Sequence, residues 1–572
     1  MCQLLISLFV FSAIRVTTCE KFDPLAFVDP LIGSRRGGNV FVGATLPDGL
    51  AKAVIDVDGE KTGGFATDGS NITGFSIVHD SGTGGNPSLG NFPLFPQLCP
   101  GDDLNNCRFR IGKPEQCFRV AGKSSQGCVE SFWSGLYRNM ISPQNYTGEN
   151  PYWDSGVPYF DSYYCICDSF RAQHPLLTVI DPQAQAQMVN SLLDIYKHEG
   201  WLPDCRMSLC KGWTQGGSNA DVVLVDAYVK NLTSIDWKVA LEAITKYAED
   251  EPLEWLYQGR GGLDSWRNLH YIPYLDFDPV GFGTNSRSVS RTLEYSYNDY
   301  CLATLAKGLG KGTLHAKYMT QSMNWRNLWK RNQNSLPKYM NGTWGFQDPI
   351  ACSNLAGFCS LTTNPSETFE ASIWQYQFIV PHAVATLIDL MGGEEAFVSR
   401  LDYFHASPLA DISNEPVFLT VYLYHYAGRP GLSAERIHKY VPSAFNSSRG
   451  GLPGNDDSGA MGAFLAFSVM GLFPVAGQDV YLITPPFFEE ISLRNPMTGK
   501  TATAKSVGFD AKYRNVYIQS VKLDGETWNK SWVGHGFFTE GRTLELTLGD
   551  KESDWGKGKE ARPPSYEAAS EF

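Results

Sequence analysis

The chain has 572 residues, which is more than one hydrophobic core supports, since single cores stop growing at about 250 to 300 residues. Charged residues make up 19 % and aromatic residues 13 % of the sequence, so we expect a globular protein of two or three domains and not a disordered chain. The formal net charge of -13 repels phosphate backbones, which argues against a nucleic-acid partner. The many aromatic rings suit either a sugar-binding cleft or simply a large core.

The first residues are typical of a secretory signal peptide. An apolar run from Leu4 to Ile14 is followed by small residues, which predicts a signal over residues 1–19 that is cut near Thr18 or Cys19. Six N-x-S/T sequons agree with secretion and predict N-glycosylation. They begin at Asn71, Asn145, Asn231, Asn341, Asn446 and Asn529. No later stretch reaches the roughly 20 apolar residues that cross a bilayer, so we expect a secreted protein with no membrane span.

Of the 13 cysteines, Cys2 and Cys19 lie in the predicted signal, which leaves 11. In an oxidising compartment, cysteines that lie close together in the sequence are candidates for disulfide bonds. Two such groups are Cys99, Cys107, Cys117 and Cys128, and the pair Cys205 and Cys210. Cys165 and Cys167 form a C-x-C motif without a second Cys or His pair at zinc spacing, so we do not expect a thiolate metal site.

Three regions follow the signal in chain order. Residues 21–128 contain short Val- and Phe-rich runs between turn residues, which predicts an antiparallel β domain. Residues 129–475 place apolar residues at helical spacing in many segments, and the absence of a repeat signature favours a toroid of helical hairpins over a solenoid. Strand patterns return over 476–550, and the polar residues 551–572 are expected to form a flexible tail.

Three acidic stretches in the helical region lie beside aromatic residues. Glu370 precedes Trp374, Asn414 and Glu415 precede a Pro, and Asp457 follows Asp456 before a long apolar run. Hydrolysis of a glycoside requires one protonated carboxyl for the leaving group and one ionised carboxylate that activates water or attacks the sugar. Each of these carboxylates taken alone is equally explained as a helix N-cap or first-turn charge.

Taken together, the motifs are more specific than any single carboxylate. They include "VDPLIGSRRGGNVFVGATLPDG", "GFSIVHDSGTGG", "SYYCICDSFRAQHPLL", "FEASIWQYQFIVPH", "NEPVFLTVYLYHYAGRPG" and "GLPGNDDSGAMGAFLAFSVMGLFPV". In this order the sequence resembles glycoside hydrolase family 92, the calcium-dependent exo-acting α-mannosidases, and within it the secreted fungal branch. The resemblance implies a β-sandwich packed on an (α/α)6 barrel, with a mannose pocket at their junction, a small C-terminal β region and a bound Ca2+.

The resemblance also implies roles for individual residues. Glu370 matches the general acid and Asp457 the general base of a single displacement that inverts the anomeric carbon. Their carboxyl groups are then expected about 6.5 to 9.5 Å apart, which leaves room for the attacking water. Asp168 and Arg171 match a stretch that binds the terminal mannose.

Further substrate contacts are implied at four positions. Asn414 and Glu415 match a pair that reads the leaving sugar. Asn455 lies where the family often has a second Asp, and His79 is expected to face the cleft from the β domain. A His79 side chain whose hydrogen bonds are satisfied within a turn is an equally good interpretation of the sequence.

The sequence departs from the family pattern in ways that leave alternatives open. Cys167 replaces a Trp of the pocket wall, and residues 99–128 replace many strands of the usual sandwich, so the β domain is predicted to be shortened. Family members that cut α-1,2 bonds often carry His where this chain has Asn414. We therefore expect an exo-α-mannosidase, for α-1,2 bonds first, acting as a monomer on mannose-containing glycans. The alternatives are an enzyme for α-1,3 or α-1,6 bonds, or a mannose-binding paralogue with weak or no activity.

Overall fold

The computed structural model describes residues 24–567 except 36, 44, 59–62, 83–93, 95–126, 277, 279, 282–285, 331–334 and 357–366. The α-helices span Gly127–Asn139, Ile166–Ser169, Gln173–Ile180, Pro182–Glu199, Ala220–Val229, Trp237–Glu249, Leu263–Leu269, Ser288–Gly308, Gly312–Gln321, Ile373–Tyr376, Val384–Leu390, Glu394–Ala406, Pro430–Ala444, Ala460–Met470 and Gly536–Thr539. The 3-10 helices span Pro24–Phe27, Asn324–Leu328, Glu415–Ala427 and Lys559–Ala561. Helices therefore dominate the middle of the chain.

The strands form small sheets at the two ends of the described chain and within its helical loops. They are β1 (Val54–Val57), β2 (Ile72–Ser76), β3 (Gln144–Asn145), β4 (Phe160–Asp161), β5 (Arg206–Met207), β6 (Cys210–Lys211), β7 (Leu472–Pro474), β8 (Tyr481–Ile483), β9 (Glu490–Arg494), β10 (Thr501–Val507), β11 (Tyr517–Leu523), β12 (Glu526–Thr527), β13 (Trp532–Val533) and β14 (Thr543–Gly549). The C-terminal strands form a five-stranded sheet in the order β12-β11-β14-β10-β9 and a three-stranded sheet in the order β13-β8-β7. The strand β10 is parallel to β14 and antiparallel to β9.

The helix Ala460–Met470 lies at the centre of the helical region. Every one of its residues is buried, as expected for a helix that is apolar on all sides. It packs against the helix Gly127–Asn139, where a Cβ at Gly462 would lie 2.8 Å from the carbonyl oxygen of Gly135. The two glycines thus permit close contact of the two helix backbones.

The predicted architecture, a β region on a large helical domain followed by a small β region, is confirmed. The described N-terminal residues form one two-stranded antiparallel sheet of β1 and β2, with an isolated bridge between Phe75 and Leu94. The predicted signal over 1–19 and Cys99, Cys107 and Cys117 lie outside the described residues. Among the described helices, none is both long and apolar enough to cross a bilayer.

The structure differs from the prediction of a flexible tail over 551–572. Trp555 is buried and its indole N–H donates to the carbonyl oxygen of Trp528 at 2.9 Å. Further along, the backbone N–H of Tyr566 donates to the carbonyl oxygen of His382 at 2.7 Å. The described part of this segment therefore packs on the helical and C-terminal β regions. Its aromatic residues contact the hydrophobic core, and the polar composition of the segment gives no sign of these contacts.

The predicted bond between Cys205 and Cys210 is also not formed. Both residues carry free thiols, with Cys205 buried and Cys210 exposed. Cys205 immediately precedes β5, whereas Cys210 lies in β6 and pairs with Met207. The two side chains therefore lie in different surroundings. Cys128 is a free thiol, whereas Cys352 is disulfide-bonded to a partner outside the described residues.

Candidate active site

Four carboxyl groups from four separate segments meet in one buried place. Asp168 lies in the helix Ile166–Ser169, Glu415 begins the 3-10 helix Glu415–Ala427, and Glu370 and Asp457 lie in loops just before helices. Their charges act on one another. The pKa of Asp457 is raised well above its ordinary value by burial and by the charges of Asp168 and Glu370, and burial, Asp457 and Asp168 do the same to Glu415. Such a cluster of buried acids is where proton-transfer chemistry is expected.

Glu370 has the properties of a general acid. Burial and the nearby charge of Asp168 raise the pKa of Glu370 to about 8, against the lowering effect of Arg287 and Arg171. A carboxyl with this pKa holds its proton at neutral pH. Its backbone has φ 55, a left-handed conformation that non-glycine residues seldom adopt and that is frequent at functional sites.

Asp457 and Asp456 have different surroundings although they are neighbours. Asp456 is fully buried, pairs with Arg138 at 3.1 Å and accepts a hydrogen bond from the N–H of Gly462 in the first turn of the following helix. Gly459 stands at the N-cap position of that helix, and Asp456 contributes by accepting this first-turn N–H. Asp457 has φ 41 and its backbone N–H donates to the carbonyl oxygen of Gly82 at 3.2 Å, which leaves its carboxylate for the cluster.

Asp168 lies in the helix Ile166–Ser169, and Arg171 follows two residues after the end of that helix. Burial raises the pKa of Asp168 to about 6, while the positive charge of Arg171 counteracts the rise. The thiol of Cys167 donates to the Asp168 carboxylate at 3.3 Å, and the Nε of Arg171 donates to the Cys167 carbonyl oxygen at 2.8 Å. In the cluster, Asp168 therefore has one hydrogen-bond donor, Cys167, and one nearby positive charge, Arg171, which partly offsets the effect of burial on its pKa.

Asn414 and Glu415 connect the cluster to Glu370. The Asn414 amide donates to the carbonyl oxygen of Glu370 at 3.1 Å, which ties together the two loops that carry the acids. Glu415 is 1 % exposed, and neither of its carboxylate oxygens has a hydrogen-bond partner among the described residues. A buried carboxylate without partners is costly, so this position points to a ligand that supplies them.

The structure does not place the His79 ring in the cluster. His79 is 1 % exposed, its Nδ1 bonds to the carbonyl oxygen of Lys52, and its Nε2 lies 2.9 Å from Asp56 and 3.1 Å from Ser76. Both ring nitrogens thus have partners within the N-terminal region, as in the alternative interpretation of a locally satisfied His79, and a contact of His79 with substrate stays a prediction. Asn455 accepts a hydrogen bond from the amide of Asn39 at 2.8 Å, so it joins the N-terminal region to the loop that carries Asp457.

Sequence reasoning missed two residues that support the site. Glu294, in the helix Ser288–Gly308, is buried and accepts hydrogen bonds from Tyr376 at 3.0 Å and Asn219 at 3.3 Å. Arg287 lies 4.4 Å above the Phe369 ring and donates to the carbonyl oxygen of Thr214. Glu294 lies within this helix and Arg287 immediately precedes it, and nothing in the sequence around either residue marks it as part of a site.

The donor chemistry of the cluster fits a hard cation such as Ca2+, which prefers carboxylate and carbonyl oxygens. The unpartnered Glu415 carboxylate supplies such oxygens, and Asn414 and Asp457 lie beside it. A second group, Cys165, Cys167 and Asp168, has ligand atoms within 4.8 Å of one another. Two sulfur donors suit a soft ion and do not suit calcium.

The sequence matches two family profiles. Residues 27–125 match the glycosyl hydrolase family 92 N-terminal domain, and residues 116–550 match the glycosyl hydrolase family 92 catalytic domain. A relative from Arthroderma benhamiae, described as an uncharacterized secreted glycosidase, is 41 % identical over 768 positions that cover 97 % of this chain and 96 % of the relative. The alignment of 768 positions is longer than the 572 residues of this chain, so the relative has segments that this chain lacks.

Solved structures of bacterial proteins share the fold. The family GH92 alpha-mannosidase BT3965 from Bacteroides thetaiotaomicron, in complex with mannoimidazole, superposes with a TM-score of 0.80 at 19 % identity, over 95 % of this chain and 97 % of that one. The family GH92 inverting mannosidase BT2199 from the same organism gives a TM-score of 0.68 at 25 % identity, over 78 % of this chain and 62 % of that one.

Proposed function

Because the chain belongs to glycosyl hydrolase family 92 and is a glycoside hydrolase, we propose that it is an exo-acting α-mannosidase that inverts the anomeric carbon. The observation that carries this proposal is the pair formed by Glu370 and Asp457 within one cluster of buried carboxyls, where Glu370 holds its proton at neutral pH. The substrates are mannose-containing glycans or glycoproteins.

In the proposed reaction, Glu370 donates its proton to the glycosidic oxygen as the bond to the leaving sugar breaks. The pKa of about 8 keeps the acid protonated before the reaction, and Arg287 stabilises the carboxylate that remains after transfer, since its charge lowers that pKa. Proton donation by a positioned carboxyl accounts for about 10² to 10⁴ of a rate acceleration.

Asp457 acts as the general base that takes a proton from water on the opposite face of the sugar. Its ionised form is disfavoured by burial and by the neighbouring carboxyls, so the base needs a compensating positive charge. A bound Ca2+ supplies such a charge and holds sugar hydroxyls when it is present. Glu415, with Asn414 and Asp457 beside it, is the residue that we assign to holding this ion.

Asp168 and Arg171 bind the terminal mannose in this proposal, since a carboxylate and a guanidinium together accept and donate hydrogen bonds to sugar hydroxyls. Asn414 contacts the leaving sugar. We assign the α-1,2 bond as the first substrate. Secretion is supported by the relative from Arthroderma benhamiae, which is described as a secreted glycosidase, and glycosylation is supported by five sequon asparagines that are exposed. These are Asn145, Asn231, Asn341, Asn446 and Asn529.

The experiment that tests the proposal is mannose release from the α-1,2-, α-1,3- and α-1,6-linked mannobioses with added CaCl2. Native enzyme is expected to release mannose from the α-1,2 disaccharide fastest, and Glu370→Gln is expected to release it about 10²- to 10⁴-fold more slowly. Faster release from another linkage changes the assigned substrate. Binding of mannobiose by calorimetry without release by the native protein establishes a mannose-binding paralogue and overturns the enzymatic proposal.

A further inference from the structure

Three thiols lie directly beneath the candidate active site. Cys165, Cys167 and Cys205 are buried together as a small cluster. The sulfur atoms of Cys165 and Cys205 are 3.5 Å apart, although 40 residues separate them in the chain. The Cys167 thiol donates to the Asp168 carboxylate at 3.3 Å, and its sulfur lies within 4.8 Å of the Cys165 sulfur, against 3.5 Å for that of Cys205.

The backbone holds Cys165 and Cys205 opposite each other. The N–H of Ile166 donates to the carbonyl oxygen of Asp204 at 2.9 Å, and the N–H of Arg206 donates to that of Tyr163 at 2.9 Å. These two bonds enclose the Cys165–Cys205 pair in a short antiparallel arrangement. The two sulfurs must therefore approach from 3.5 Å to the S–S bond length of about 2.05 Å.

We propose that Cys165 and Cys205 form a disulfide bond in the mature protein and that Cys167 stays a thiol. The reaction needs an oxidant of the disulfide class, such as glutathione disulfide. The two S–H bonds break, the S–S bond forms, and two protons and two electrons pass to the oxidant, which is reduced to two thiols. This pairing replaces the bond between Cys205 and Cys210 that sequence spacing favoured.

The position of this bond gives it a consequence for the site. Cys165 has a left-handed backbone with φ 43 and immediately precedes the helix Ile166–Ser169, which carries Asp168. Its sulfur is also 3.2 Å from the amide nitrogen of Gln215. A covalent bond at Cys165 therefore fixes the start of the segment that brings Asp168 to Glu370. Formation of the bond does not depend on the proposed function, but this effect on activity does.

Peptide mapping of protein secreted by a eukaryotic host, alkylated and digested without reduction, tests the pairing directly. We expect a peptide that links Cys165 to Cys205, and carbamidomethyl groups on Cys167 and Cys210. The linked peptide should be unchanged in Cys301→Ser, which removes a buried free thiol in another part of the helical domain. Cys165 joined to Cys167, Cys205 joined to Cys210, or alkylation of both Cys165 and Cys205 overturns the proposal.

The effect on the site is tested separately with Cys205→Ala. We expect its Tm in the absence of reductant to be several degrees below that of native protein, and the difference to shrink when both are reduced. Mannosidase kcat/KM should fall by about ten- to a hundredfold, through a rise in KM, since a misplacement of about 1 Å costs up to about 10² in rate. An unchanged Tm and KM in Cys205→Ala would contradict the proposal that the disulfide holds the segment that carries Asp168. The Tm and the peptide map can be measured whether or not the protein is an enzyme, so they test the bond independently of the proposed function.

Discussion

The backbone N–H of Asp457 donates a hydrogen bond of 3.2 Å to the carbonyl oxygen of Gly82, and the N–H of Ser458 donates to that of Ser81 at 2.8 Å. Through these two bonds the N-terminal β region holds the loop that presents the proposed base. The amide of Asn39 adds a third contact, to Asn455 at 2.8 Å. The candidate site therefore depends on both regions of the chain and not on the helices alone.

Substitution of Gly82 tests this dependence. In Gly82→Ala the new Cβ would lie 2.4 Å from the backbone nitrogen of Asp457, at a φ of +87, so the Asp457 loop must shift. We expect kcat for mannoside hydrolysis to fall by about 100-fold, since small displacements of catalytic groups have effects of this size. Gly148→Ala is the matched control, because Gly148 has φ +79 with no atom within 4 Å of the added carbon. Equal losses of kcat in the two variants would show that backbone strain alone is responsible.

Replacement of the proposed acid should separate activity from stability. Glu370→Gln is expected to lower kcat by about 10² to 10⁴ on substrates with poor leaving groups. It should also raise the free energy of unfolding at pH 7 by about 1 to 3 kcal/mol, because it removes a carboxyl whose ionisation burial opposes. Chemical denaturation and single-turnover kinetics measure the two effects. A variant that is inactive and also less stable than native protein would indicate a structural role for Glu370.

The pH dependence follows from the same carboxyl. The pKa of Glu370 is about 8 in the folded protein and 4.5 ordinarily, so its contribution to stability is fully present below pH 4.5 and is lost as the pH rises through 8. The stability difference between Glu370→Gln and native protein should therefore widen from pH 5 to pH 8. Native kcat/KM should fall above pH 8 as the acid loses its proton. A difference that stays constant across this range would show that the carboxyl is not perturbed.

The two adjacent aspartates should respond to substitution in different ways. Asp457→Asn is expected to lose at least 10² in kcat with a Tm at or above that of native protein, since burial also raises the pKa of Asp457. Azide, a nucleophile that needs no base, should restore turnover. Asp456→Asn breaks a fully buried pair with Arg138, so it should cost about 3 to 5 kcal/mol of stability while the folded fraction keeps its kcat. Azide rescue of Asp456→Asn would make Asp456 the base. Failure of azide to rescue Asp457→Asn would remove the assignment of Asp457 as the base.

Calcium dependence should be traceable to Glu415. EDTA is expected to abolish mannose release by native enzyme, and CaCl2 to restore it, because the unpartnered carboxylate of Glu415 needs a cation. Glu415→Gln should require at least tenfold more Ca2+ for half-maximal activity and for the calcium-induced rise in Tm. Glu552→Gln is the control, since Glu552 pairs with Arg429 far along the chain from the cluster. Identical calcium titrations for native protein and Glu415→Gln would remove Glu415 from the proposed metal site.

Sequence alone predicted the parts of this molecule that depend on local pattern. Helical spacing identified the all-α region, and the apolar run after Asp457 became the buried helix Ala460–Met470. Glu370 and Asp457 were chosen for their neighbours in the sequence and Asp168 through the family resemblance, and the structure places the three carboxyls within reach of one another's charge. Asp456, which precedes this apolar helix, accepts a first-turn hydrogen bond from Gly462, although Gly459 stands at the N-cap position.

Contacts between residues that are distant in the sequence could not be predicted from it. Nothing near His79 shows that Lys52, Asp56 and Ser76 satisfy both of its ring nitrogens. Cys205 was paired with its neighbour Cys210, whereas antiparallel backbone contacts bring it to Cys165 from 40 residues away. Glu294 and Arg287 contribute charge to the site, although nothing in the sequence around either residue marks it. In each case a partner distant in the sequence decides the environment.

The most direct test of the account is the anomeric form of the sugar first released from an α-mannobiose by native enzyme with Ca2+, followed by proton NMR before mutarotation. An acid at Glu370 and a base at Asp457 acting on opposite faces of the sugar give β-mannose in a single displacement. Appearance of α-mannose first would mean a double displacement through a covalent intermediate, and would contradict the roles assigned to both residues.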